Sequence, residues 1–120
     1  MAEAIGQHAS VLVGFDLRLL ELDFGAWEGS AWNLVPRDAL DAWAADPLGF
    51  AAPGGESGAA LVARVSAFAE DLRSDGRDCA VVSHGGPLKV LRALLEGRAV
   101  DLLSPSQGIA ECVFVRASAG

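Results

Sequence analysis

The chain has 120 residues, 52% of them hydrophobic, and a formal charge of −7 at pH 7, the length of one domain with apolar material for a core. Its nine Lys and Arg are scattered and form no basic footprint for nucleic acid or an anionic membrane, so the expected partner is a small ligand or another protein. The longest apolar runs, such as "CAVV" before Ser83, are far below membrane-spanning length, and "MAEAIGQHAS" lacks the basic start and apolar centre of a secretion signal, which predicts a cytoplasmic protein.

Residues 2–8 have helical composition but no room for an N-cap, as if the chain entered a helix already under way. "VLVGF" at 11–15 reads as a short strand, and Asp16 to Gly29 as a loop with extended character. Ser30 can cap a helical turn through Trp32 and Val35. Pro36 can open a second helix that carries Leu40 and Trp43 and stops before Pro47. "PLGFAAPGGES" at 47–57 is a Gly/Pro loop. After it, Leu61, Val65, Phe68 and Leu72 recur at helical spacing, which predicts an amphipathic helix capped by Ser57 and ending near Arg73. In "DCAVVSHGGPLKVLRALLEG" an apolar strand (79–82) runs through a glycine turn into a helix bearing Leu88, Leu91, Leu94 and Leu95. An apolar strand between helices is the mark of a parallel sheet covered on both faces. "IAECVFV" at 109–115 supplies one more strand. Cys79 and Cys112 are far apart with no CxxC partner, so neither a disulfide framework nor a zinc site is expected, and both read as buried thiols.

Chemistry can sit in two places. In "VVSHGGP" a strand ends where open α/β sheets bind ligands, and the next helix turns unpaired N–H groups toward any anion there. Gly85 and Gly86 let the backbone come close, Pro87 suits the first helical turn, and His84 stands beside the anion position. The alternative for His84 is a polar residue at a strand end, hydrogen-bonded to a neighbouring backbone group. The second place is "ELDFGAWEG" at 21–29. Glu21, directed inward, can hold a proton for a leaving group; the alternative is that Glu21 and Glu28 solvate a loop while Phe24 and Trp27 plug the core. "GGES" reads chiefly as helix entry, with Ser57 the cap and Glu56 facing the positive helix end.

Taken in order, "LRLLELDFGAWEGSAW", "PGGES" and "VVSHGGPLKVLRALL" resemble the histidine phosphatase superfamily, the phosphoglycerate mutase-like fold, with the first block most similar to its alpha-ribazole phosphatase branch. The resemblance runs over about residues 1–116. It implies an α/β fold of three layers (α/β/α) with a mostly parallel sheet, in a single, partial domain spanning residues 1–120. It implies a phosphomonoester hydrolase acting on a small-molecule phosphate ester with no metal or other cofactor. By position Glu21 is the proton donor to the leaving oxygen, and His84 helps hold the phosphoryl group with Gly85 beside it. The family's phosphorylated histidine lies in an Arg-His-Gly motif that occurs nowhere in these residues; the remaining histidine, His8, is flanked by Gln7 and Ala9. "MAEAIGQH" resembles the end of the family's first long helix, so the expectation is an N-terminally truncated chain that lacks the first strand and has little or no catalytic activity. The loss of a central strand predicts self-association through an exposed sheet edge. The alternatives are a noncatalytic binding or oligomerising module and a phosphoglycerate mutase-type phosphotransferase.

Overall fold

A computed structural model describes residues 13–31 and 34–117. Among them are three α-helices: α1 (Arg37–Ala45), α2 (Gly58–Asp75) and α3 (Gly85–Glu96). Short 3-10 turns at Leu17–Leu19 and Gly25–Trp27 precede them. The expected turn at 30–35 and the expected strand at 11–15 lie partly outside the described residues, and the expected helical stretch at 2–8, with His8, lies wholly outside.

α2 begins where its sequence says it should. Ser57 is extended and its Oγ accepts the Ala60 N–H at 3.1 Å, which satisfies one of the donors that the first helical turn leaves open. Leu61, Val65 and Ala69 then lie on one face, buried against Val90 and Leu91 of α3. Fully burying side chains of this size contributes about 1.5–3 kcal/mol each, so this helix pair is the centre of stability. Phe68, Leu72, Leu94 and Leu102 pack around it. The far ends are also tied: the Arg73 guanidinium donates to the Leu94 carbonyl at 2.8 Å, and Arg98 N–H donates to the Ala93 carbonyl at 2.8 Å, closing the last turn of α3.

The parallel sheet expected of a three-layer fold is not formed among the described residues. Their only bridge is the isolated antiparallel pair Ala51 with Ser57. A strand satisfies its backbone through a neighbour across a ladder, and neither 79–82 nor 109–115 has one beside it. Ile109 and Phe114 are accordingly left at the surface, 102% and 97% exposed, whereas Val81 packs against the helix pair. The same absence corrects the expectation for the thiols. Cys79 and Cys112 are both exposed, because the strands meant to carry them inward have no sheet to join. What burial Cys79 retains, together with the charges of Asp75 and Asp78, still pushes its thiol pKa up. No helix among the described residues is long and apolar enough to cross a membrane.

Candidate active site

The segment carrying Glu21 is fixed from both sides. At its start Asp16 caps the first 3-10 turn, its Oδ1 accepting the Arg18 N–H at 2.9 Å. The Arg18 guanidinium pairs with Asp16 and Asp71, each at 2.8 Å, and lies 5.5 Å from the Phe68 ring centre. Those carboxylates hold its pKa well above the ordinary value. After Glu21 the chain docks on the "PGGES" loop. Asp23 carbonyl accepts the Glu56 N–H at 2.8 Å, and Pro53 carbonyl accepts the Ala26 N–H at 2.8 Å. The approach is close enough that a Cβ on Gly25 would meet the Gly55 nitrogen at 2.5 Å. Gly25 also has a positive φ of 54°, so glycine is required there on two counts. The first two motif blocks are thus one surface.

Glu28 has a local task. Its Oε1 accepts the Phe24 N–H at 2.9 Å, which ties the ends of the second 3-10 turn together. Glu21 reaches further. Its Oε1 accepts the N–H of Leu22 at 2.8 Å, and its Oε2 accepts the N–H of Gly86 at 3.4 Å. This half-buried carboxylate therefore sits on the first turn of α3, the favourable sense for negative charge at a helix N-terminus. Gly86 makes the contact possible: any Cβ there would collide with Glu21 Oε1.

The structure joins the first and third motif blocks here. His84 is the residue before α3; its carbonyl accepts the Leu88 N–H at 3.0 Å, while its side chain caps nothing and is exposed. Ser83 just before it donates its hydroxyl to the Leu19 carbonyl at 2.6 Å, holding the α3 entry against the turn that leads to Glu21. Gly85 opens α3 beneath Ser106, whose Oγ lies 3.2 Å from where a Cβ would stand. The Lys89 ammonium draws that loop in by donating to the Leu102 carbonyl at 3.0 Å. Ser83 and Ser106 were not singled out from the sequence; the position of Ser83 next to His84 was the available signal, and Ser106 offered none.

Arg64 was also missed. From the middle of α2 its Nε and Nη2 each donate to Glu56 at 2.9 Å, its Nη1 donates to the Arg18 carbonyl at 2.7 Å, and its Nη2 donates to the Glu21 carbonyl at 3.3 Å. The two side chains are only 21% and 20% exposed. The Arg64 guanidinium, seconded by the Asp23 N–H, holds the Glu56 carboxyl below its ordinary range against the opposing effect of burial. Arg64 is pushed up by the same pair. The signal for Arg64 was its register, a charged residue between Leu61 and Val65 on the helix that carries the core.

Among the aromatics, Trp27 packs on Phe50 with ring centres 5.4 Å apart and borders a hollow of about 180 Å³ with Phe24 and Val35. A second hollow of about 330 Å³ runs beside α3 past Lys89, Arg92 and Arg98. Neither includes Glu21 or His84. Among the described residues no three His, Cys, Asp or Glu side chains converge on a position for a metal ion.

Residues 1–115 match the family model described as Histidine phosphatase superfamily (branch 1). A Hydrogenobacter thermophilus protein named "Putative phosphoserine phosphatase 2" is 33% identical over 92 residues, which are 73% of this chain and 45% of the relative. The chain thus spans about half the length of the curated relative it matches. The solved mycobacterial glucosyl-3-phosphoglycerate phosphatase, in complex with inorganic phosphate, superposes with a TM-score of 0.68 at 28% identity, over 82% of this chain and 54% of that one. A point mutant of TTHB049 from Thermus thermophilus superposes with a TM-score of 0.57 at 28% identity, over 99% and 68%. These neighbours have the phosphoglycerate mutase-like fold. On the family match over residues 1–115, this chain belongs to the histidine phosphatase superfamily.

Proposed function

We propose that the chain carries the acid side of a phosphomonoester hydrolase site. The observation that supports it most is placement: the Glu21 side chain reaches the Gly86 N–H at the start of the helix that His84 precedes, which brings the two residues to one end of that helix. In the reaction, the bond between phosphorus and the ester oxygen breaks, and the electron pair left on that oxygen takes a proton from Glu21. His84 and the backbone about Gly85 hold the phosphoryl oxygens. The phosphoryl group also needs an acceptor. The family's acceptor is the Arg-His-Gly histidine, a motif absent from these residues, so the 120-residue chain alone turns over little or no substrate.

The substrate is a small phosphate monoester. The wording of "ELDFGAWEG" favours alpha-ribazole phosphate, while the relatives' names point to phosphoserine and glucosyl-3-phosphoglycerate; all present one phosphate on a small alcohol. The test has two parts. Inorganic phosphate added to the isotope-labelled chain should shift the His84 and Gly85 amide resonances, and His84→Ala should remove the shift. Phosphate release from p-nitrophenyl phosphate should stay near background. Brisk hydrolysis that survives both Glu21→Gln and His84→Ala would overturn the assignment.

A second reading has its own observation. Ile109 and Phe114 are almost fully exposed and Phe15 largely so, which suits a noncatalytic module that associates with a second copy of itself through apolar surface. Light scattering across a concentration series separates the two: a discrete oligomer without phosphate binding favours the module.

A further inference from the structure

We infer that Arg64, held by Glu56, is the positioning residue for Glu21; this rests on the proposed role of Glu21. The Glu21 carboxylate reaches Gly86 only if the backbone at 18–21 stays in register with α3. That backbone belongs to no helix of its own beyond the turn at Leu17–Leu19, so its position depends on outside contacts. Arg64 supplies them at both ends, donating to the Arg18 carbonyl at 2.7 Å and the Glu21 carbonyl at 3.3 Å. The guanidinium can serve two carbonyls because its plane is set by the bidentate bond to Glu56, two contacts of 2.9 Å. Only a planar fork with several fixed donors does this; a lysine ammonium is a single point with no plane to orient.

The arrangement is also rigidly based. Arg64 projects from the turn of α2 that carries Leu61 and Val65, both buried in the core. Glu56 is anchored in turn, its Oε1 accepting the Asp23 N–H at 3.3 Å and its own N–H donating to the Asp23 carbonyl at 2.8 Å. Through one guanidinium the most stable part of the molecule thus fixes the backbone on which the acid is mounted. Ser83, bonded to the Leu19 carbonyl at 2.6 Å, registers the same backbone against the entry to α3. The two links constrain Glu21 from different helices.

The readout is the Gly86 amide, whose chemical shift reports its contact with the Glu21 carboxylate. In the unmodified chain it should differ from its position in Glu21→Ala, which lacks the acceptor. Arg64→Met should move it most of the way to the Glu21→Ala position while the Val65 and Val90 methyl resonances stay in place. Arg64→Lys should restore about half or less of the difference, since an ammonium lacks the fork. Glu56→Gln, which keeps the shape of the loop and of Arg64, should move the amide in the same direction, and it serves if Arg64→Met does not fold. A purely structural Arg64 would lower the thermal midpoint and leave the Gly86 shift as it was. That result, in either folded variant, overturns the inference. Failure of the phosphatase reading shows itself separately, as absence of a phosphate-induced shift at His84 and Gly85 with the Gly86 contact intact.

Discussion

The two apolar stretches at 79–82 and 109–115 are richer in hydrophobic residues than the two long helices, yet the helices hold the core. α2 and α3 satisfy their backbone groups internally and need from each other only a face to pack on, which Leu61, Val65, Val90 and Leu91 provide. The stretches at 79–82 and 109–115 need a partner for every second backbone group as well as cover for their side chains. With no ladder beside them, Ile109 and Phe114 stand in the open. Helical structure is legible and stable locally, whereas strand structure is a property of pairs of segments.

The sharpest test of this contrast is Leu61→Ala, which removes a buried side chain from the helix pair and should cost about 2–5 kcal/mol in urea unfolding. A smaller loss would mean that the helix pair is not the centre of stability. At the junction between the two regions, Gly86→Ala forces a methyl group against the Glu21 carboxylate and should cost about 1–3 kcal/mol. It should also displace the Leu22 amide resonance, because Leu22 donates to the same carboxylate; an unmoved Leu22 would break the link between the segments.

The Arg64 and Glu56 pair sharpens the comparison through pH. Arg64 first, and then the Asp23 N–H, holds the Glu56 carboxyl below its ordinary value of 4.5. A group whose folded pKa is depressed contributes stability that is complete above the unfolded value and disappears as pH falls through the folded one. The unfolding free energy of the unmodified chain in urea should therefore exceed that of Glu56→Gln near neutrality, by about 1–3 kcal/mol for a charge-assisted pair at this burial. The two curves should converge in acid. Parallel curves would mean that Glu56 does not carry the dependence.

Ser57→Ala removes the hydroxyl that accepts the Ala60 N–H and should cost about 1 kcal/mol, visible as a lower thermal midpoint with α3 unaffected. The smallest effect belongs to the other region. Ile109→Ser should change stability by no more than about 0.5 kcal/mol, and it should reduce association of copies if the apolar surface drives it. If Ile109→Ser costs as much as Leu61→Ala, the contrast collapses.

How far the sequence could be read follows the same division. The Ser57 cap and the run Leu61, Val65, Phe68, Leu72 predict a helix ending near Arg73, and α2 ends at Asp75. Pro36 and Pro47 bracket α1 as expected, and the glycines after His84 open α3. Each is a local signal. The expected sheet was the opposite case, since an apolar run such as 79–82 states a need for neighbours without supplying them. In the site, Glu21 and His84 stand in separate motif blocks, and the Glu21 carboxylate reaches the Gly86 N–H of the helix that His84 precedes. Arg64 escaped because its partners lie 8, 43 and 46 positions away in the chain, and no periodicity spans such distances. Glu28 was read alongside Glu21 as a second acidic residue of the loop, yet its carboxylate closes a turn at Phe24; a spacing of four residues was the clue.

The two oxygens of Glu21 are each taken by a different N–H, one from its own loop and one from α3. The plane of the carboxyl group is therefore chosen before any ligand arrives. A free glutamate searches several rotamers and must give up that freedom when it meets a reacting oxygen. Here the two N–H groups already hold one orientation, so a partner that meets Glu21 does not have to fix the direction of the side chain.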